Sequence, residues 1–291
     1  MGTAPTQTVL RHHSALGSWE LVYRAPHPLL LGLFDRYSGY REESAVPVRR
    51  REVASGAIVL IISFGDRLRL LPQPGVDAPA EAVSFVAGLH NGPAVTEYAG
   101  TQAGIQINLT PLGAYTLLGL PMTEITDRIV PFADVADCVG LHRDLPERLA
   151  HAPTWDARFA LLDDLWLRRL AEGPVPRPEV AACWHALRAS TGRVTVAELA
   201  RRTGFSRRHL TARFREQVGL PPKAVARLLR FEHAVRLLDA PAPIDLADLA
   251  ERCGFYDQAH LNRDFRALAG CTPTAYLAAR PTDGTALGIG A

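Results

Sequence analysis

The 291-residue sequence predicts an α+β protein in two parts, a β-rich domain that ends in helices followed by an all-α domain of two like units joined by a long helix. Three observations predict it. Short apolar runs separated by Gly, Pro, Asn and Asp fill residues 1–135. Apolar residues at steps of three and four take over near residue 138. The C-terminal third then repeats itself at a spacing of 50 residues.

The runs at 19–23, 29–37, 57–64, 67–71, 83–89 and 105–109 read as strands. Their regular spacing fits a barrel or a sandwich. Trp155, Phe159, Leu162, Trp166 and Leu170 place one apolar stripe on a helix, and Leu141, Leu145 and Leu149 do so on a shorter one before it. Three prolines in Pro174-Val175-Pro176-Arg177-Pro178 cannot continue that helix. The expected division is therefore a domain over 1–172 (β-rich to 137, helical from 138), a linker over 173–178, a helical domain over 179–280 and a disordered tail over 281–291.

Bulk properties narrow the class. The longest apolar run, 57–64, is far shorter than the ~18 to 20 residues that span a bilayer. The N-terminus has no charged start followed by an apolar block, so no signal peptide is expected. Cys138, Cys183, Cys253 and Cys271 form no CxxC pair, which speaks against a disulfide framework or zinc site and for a cytoplasmic location. Charge is divided unevenly. Residues 1–176 hold 15 Lys+Arg against 19 Asp+Glu, whereas 177–280 hold 17 against 10. A basic third on an acidic body suits a polyanion partner or a solvated basic surface.

The repeat decides between these. The first copy runs Glu198-Leu-Ala-Arg-Arg-Thr-Gly-Phe205, then His209-Leu210, Phe214-Arg215, Gly219 and Pro222. The second runs Asp248-Leu-Ala-Glu-Arg-Cys-Gly-Phe255, then His260-Leu261, Phe265-Arg266, Gly270 and Pro273, with one extra residue after Phe255. Ala200 and Ala250 are small where two helices must cross closely. Gly204 and Gly254 follow four residues later, where a sharp turn needs positive φ. Ser206 and Asp257 can cap the next helix, and Leu210/Phe214 and Leu261/Phe265 pin it to a core. Each copy therefore reads as a helix-turn-helix. Between them Ala224, Leu228, Phe231, Val235 and Leu238 mark one amphipathic helix over 222–239.

With these features the sequence resembles the AraC/XylS family of bacterial transcription regulators, whose signature stands here as GFYDQAHLNRDFRALAGCTPTAY over 254–276. The first copy departs slightly, with Gly219-Leu-Pro-Pro222 where the second has Gly270-Cys-Thr-Pro273. The resemblance covers about 177–280 and implies two helix-turn-helix units that bind double-stranded DNA. More loosely, Gly104 to Gly119 resembles the cupin-like sensor domains attached to some members.

Helical geometry supports the same reading. A helix over 222–239 is about 27 Å long at 1.5 Å per residue, so with its flanking units it can place two reading helices in grooves ~34 Å apart. Arg208, Thr211 and Ala212 in the first unit, and Gln258, Ala259, Asn262 and Arg263 in the second, are assigned to base edges. Arg207, Arg213, Arg215, Lys223 and Arg266 are assigned to phosphates.

For the N-terminal domain the expected ligand is a small organic effector, with Trp19, Tyr23, Phe34, Tyr37, Phe64 and Phe85 as its aromatic contacts. The alternative is a domain that only dimerises or meets a protein partner. RNA polymerase and a second copy of the chain are further candidate partners; a membrane is not. No His-x-His pair with a following Glu, no Gly-x-Ser-x-Gly and no Walker loop occurs, so neither an enzyme, a metal nor a cofactor is expected.

Overall fold

The computed structural model describes residues 7–14 and 17–279. The tail over 281–291 lies outside the described residues.

One antiparallel sheet forms the N-terminal part. Its strands are β1 (Thr8–Ser14), β2 (Gly17–Arg24), β3 (Phe34–Glu52), β4 (Ile58–Ser63), β5 (Leu68–Leu71), β6 (Glu81–Ala82), β7 (Phe85–Ala87), β8 (Ala94–Leu109) and β9 (Ile129–Pro131). The path is β1-β2-β3-β8-β4-β7-β9, with β5 and β6 branching from β8. The 19-residue β3 and 16-residue β8 pair along their whole lengths. A register shift between Ser44 and Val48 bends them, as a bulge does. One half of β8 pairs with β4 and the other with β5, so the sheet rolls around an interior.

The stretch expected as a strand over 29–37 is corrected here. Pro28–Leu30 is a 3-10 turn, and β3 begins only at Phe34. Pro28 fixes φ at the start of that turn, and the His27 side chain accepts a hydrogen bond from the Leu29 N–H. Leu29 and Leu31 are exposed and belong to no strand. Conversely, β1 and the outer half of β3 are strands that the sequence hides, because TVLRHHS is mostly polar and YREESAVPVRRRE mostly charged, so neither reads as an apolar run.

Helices α1 (Pro111–Leu118), α2 (Phe132–Val139), α3 (Leu145–His151) and α4 (Trp155–Glu172) cover the sheet. Helix α4 lays Phe159, Leu162 and Trp166, all fully buried, on the chain's own core. Polar contacts hold it there. Asp163 pairs with Arg24, accepts from the Tyr37 hydroxyl at 2.8 Å and accepts from the His27 N–H at 3.0 Å. Trp166 is thus intrachain packing and offers no surface to a second subunit.

The C-terminal part contains α5 (Pro178–Ala189), α6 (Val196–Thr203), α7 (Arg207–Val218), α8 (Pro222–Asp239), α9 (Leu246–Cys253), α10 (Gln258–Ala269) and α11 (Pro273–Ala278). It is not separated from the sheet by a solvated gap. A continuous buried cluster runs from Val22 to Ala269. Helix α7 packs on α1 and on a 3-10 turn at Met122–Glu124, and the Ala54 N–H donates to the Leu268 carbonyl of α10 at 3.0 Å. Among the described residues, no helix is long and apolar enough to cross a membrane.

Candidate nucleic-acid interface

Each helix-turn-helix is built by local chemistry. In the first, Thr195 caps α6 by accepting from the Glu198 N–H, Gly204 ends it at φ 72°, and Ser206 caps α7 by accepting from the His209 N–H. In the second, Asp245 caps α9, Gly254 ends it at φ 75°, and Asp257 caps α10 by accepting from the His260 N–H. The two glycines stand in the left-handed region, where a Cβ is strained. Each such cap is worth about 1 kcal/mol.

Burial then fixes which face each reading helix shows. Leu210, Phe214, Leu261 and Phe265 are fully buried. Burying each contributes roughly 1.5–3 kcal/mol, so neither helix can roll about its axis. Arg207, Arg208, Ala212 and Arg215 on α7 are exposed, as are Gln258, Ala259, Arg263 and Arg266 on α10 and Lys223 at the start of α8. Thr211, Arg213 and Asn262 are half-buried. Arg207, Arg208, Arg215, Lys223, Arg263 and Arg266 make no ion pair or side-chain hydrogen bond among the described residues. Arg213 differs, since it pairs with Glu216 at 3.2 Å.

Two features escaped the sequence reading. Tyr256 is the extra residue of the second copy. It is 93% exposed, on the turn just before α10. The one-residue mismatch between the copies was the signal for it. The other is Asp264, the counterpart of Arg213 in the repeat. It is buried and accepts from Arg227 Nε of α8 at 2.9 Å, with His260 Nε2 3.5 Å from its other oxygen. Asp264 and Arg227 fasten α10 to the long helix and so position the reading face without being on it.

The rolled sheet encloses a second feature, a cavity of about 120 Å³ that opens to the surface. Its walls include Val59, Ile61, Leu68, Leu70, Phe85 and Ile129, with Glu42, Arg50, Glu52, His90 and Tyr98 among them. Of the six aromatic residues singled out from sequence, Phe85 alone lines it. Phe34 and Tyr37 are buried under α4, where Tyr37 stacks on Phe159 at 5.3 Å. Phe64 leans on Trp155, Trp19 stacks on His12 of β1, and Tyr23 lies under Arg36.

Burial raises the Glu52 carboxyl above its usual value, helped by Glu42 and opposed by Arg50. A carboxyl raised in the folded state contributes stability below its unfolded value, and that contribution is lost as pH rises through the folded one. Glu52→Gln is therefore expected to raise the melting temperature at pH 7–8, with the gain shrinking as pH falls through the raised folded value and gone below about 4, the ordinary Glu value. Paired thermal melts across pH check this; an equal shift at all pH values would contradict it.

An exposed, cation-bearing pair of reading helices on one linked frame is the build of a DNA-binding transcription regulator. Residues 199–279 match the family description "Helix-turn-helix domain", and residues 23–131 match a domain of unknown function (DUF6597). The helix-turn-helix match falls within the stretch that resembles the AraC/XylS family and bears out that resemblance. Among solved structures, the DNA-binding domain of AdpA in complex with a target DNA is 31% identical, over 35% of this chain and 93% of its own, at a TM-score of 0.33. ToxT from Vibrio cholerae is 9% identical over 83% of this chain and 97% of its own, at 0.46. Unsaturated fatty acid bound wild-type ToxT from Vibrio cholerae strain SCE256 is 8% identical over 92% and 97%, at 0.43. No curated protein matches the chain.

Proposed function

We propose that this regulator reads DNA through Arg208, Thr211 and Ala212 of α7 and through Gln258, Ala259, Asn262 and Arg263 of α10. Arg207, Arg213, Arg215, Lys223 and Arg266 hold phosphates, and a small-molecule effector in the sheet cavity modulates binding. Residues 1–172 form the effector unit and 179–280 the DNA unit.

The observation that carries the effector reading is one segment of chain. Glu52, Val53 and Ser55 line the cavity, while Ala54 between them hydrogen-bonds to the C-terminal end of α10. The cavity wall and the backbone contact to α10 thus share four consecutive residues, so what moves 52–55 also bears on the second reading helix. Gly56, next in the chain, lies against Leu229 and Glu232 of α8. A ligand shifts DNA affinity only by its differential contacts with two states, and this segment is where such contacts meet the DNA unit.

The test is DNA binding by the full chain. Genome-wide mapping of bound sites supplies the specific duplex. With five phosphate contacts, log affinity is expected to fall with log salt at a slope of about −4 to −5. Salt-independent binding, or no bound sites, would overturn the DNA assignment. Cell extract small molecules that leave affinity for the mapped site unchanged would overturn the effector assignment.

A second reading, dimerisation through the N-terminal unit, draws on one observation. β1 is an edge strand with Val9 and Leu10 exposed, and an unpaired strand edge is a template for another strand. Light scattering of the wild type beside Val9→Lys distinguishes it; a monomer at all concentrations removes it.

A further inference from the structure

We infer that the cavity of the rolled sheet takes a mostly apolar ligand with a hydrogen-bond-donating, cationic head, a primary amine on an alkyl or aromatic body, whose head sits on Glu52. This rests on the effector reading above and specifies its ligand.

The charged groups in the cavity reduce to one once their partners are counted. Arg50 is spent on Glu42, with its two terminal nitrogens 3.1 and 2.6 Å from the two carboxylate oxygens. Glu42 is spent in turn on Arg50 and on the Tyr98 hydroxyl, which donates to it at 2.5 Å. That triad is a closed, neutral set. Gln102 donates its amide N–H to the Asp66 carbonyl at 2.9 Å.

Glu52 has no such partner. Among the described residues nothing donates to its carboxylate, although protein encloses it, and it keeps accessible surface where the cavity reaches it. His90 supplies a second acceptor. Its Nδ1 lies 3.0 Å from the Gly88 carbonyl and so carries the proton, which leaves Nε2 as an acceptor, buried and without a partner. A buried acceptor left unpaired is costly, and a ligand bearing N–H groups relieves that cost at Glu52.

Charge and surface point the same way. With Arg50 and Glu42 cancelling, the ionised cavity carries one net negative charge, on Glu52. A carboxylate ligand would meet that charge with no free cation to receive it, and desolvating an unpaired charge in an apolar site is strongly unfavourable. An ammonium meets a counter-ion. The walls, Val59, Ile61, Leu68, Leu70, Phe85 and Ile129, suit only an apolar body. Because Glu52 belongs to the segment that reaches α10 through Ala54, the head of the ligand rests on the element that touches the DNA unit.

The experiment is calorimetric titration of the full-length chain with n-octylamine, n-octanol and octanoate, which share a body and differ in the head. Octylamine is expected to bind at least 10-fold more tightly than octanoate, with octanol between them. Glu52→Gln is expected to shrink the amine-to-carboxylate gap to under 3-fold while octanol affinity holds. Octanoate binding as well as octylamine, or a gap that survives Glu52→Gln, would overturn the inference and leave the effector reading standing. Leu70→Trp and Val59→Phe, which fill the cavity, separate the two failures. If no probe binds the wild type, or if binding persists in both filled variants with native circular dichroism, the cavity is not the site and both readings fall.

Discussion

Asp264→Ala is expected to destabilise the folded chain by about 3 kcal/mol. Removing one partner of a buried ion pair costs roughly 3–5 kcal/mol, because the other charge is left uncompensated. The lower end applies here, since the Arg227 side chain is 30% exposed and its stranded guanidinium can still reach water. The consequence reaches function, because Asp264 and Arg227 tie α10 to the long helix. The substitution is expected to weaken specific DNA binding as well, although Asp264 itself faces the core. Guanidinium denaturation followed by circular dichroism measures the loss. Replacing both partners, Asp264→Leu with Arg227→Leu, is expected to restore most of the stability, because an apolar pair carries no desolvation penalty. A double variant no more stable than Asp264→Ala would show that the site needs its charges for some further reason.

The second large effect separates reading from holding. Arg263→Ala is expected to cost about 1–3 kcal/mol on the best duplex and less on a scrambled one, so discrimination falls. Arg266→Ala is expected to weaken both duplexes by a similar factor and to reduce the salt slope by about one. Both arginines are exposed and unpaired among the described residues, so neither substitution carries a folding cost that would blur the comparison. Affinities for the two duplexes at several salt concentrations decide it. If Arg263→Ala lowered both equally while Arg266→Ala altered base preference, the face of α10 turned to the groove would be rotated from the one proposed.

How much of this was legible follows from the range over which each feature is determined. The limits of α8 were visible because an 18-residue amphipathic helix bounded by prolines is a local fact. The turns at Gly204 and Gly254 and the caps at Ser206 and Asp257 were visible for the same reason. The exposed face of α10 was visible because Leu261 and Phe265, four residues apart, define its opposite. The cavity was not. Its lining joins β3, β4, β5, β7, β8 and β9, and only the long-range pairing of those strands puts Glu52 and His90 around one space. Aromatic content was a poor guide to it, since Tyr37 and Phe34 are among the largest side chains and were drawn into the core under α4.

The repeat also misled where its copies differ in surroundings. Phe205 and Phe255 occupy matching positions, yet Phe205 is 36% exposed against His209, whereas Phe255 is 5% exposed beneath Arg230. Arg213 and Asp264 match in register, yet one is half-exposed beside Glu216 and the other is buried against Arg227. By itself, the sequence determined the paired helix-turn-helix units, the helix that joins them and the side chains they present, because turn chemistry, capping and the 3.6-residue period act within a few residues. The tertiary structure decided that the DNA unit packs on the sheet domain through α7 and α10, that Asp264 is a buried fastener, and that residues 52–55 join an apolar cavity with an unpartnered carboxylate to α10. Those depend on which distant surfaces exclude water from each other, and that is settled only when the whole chain has folded.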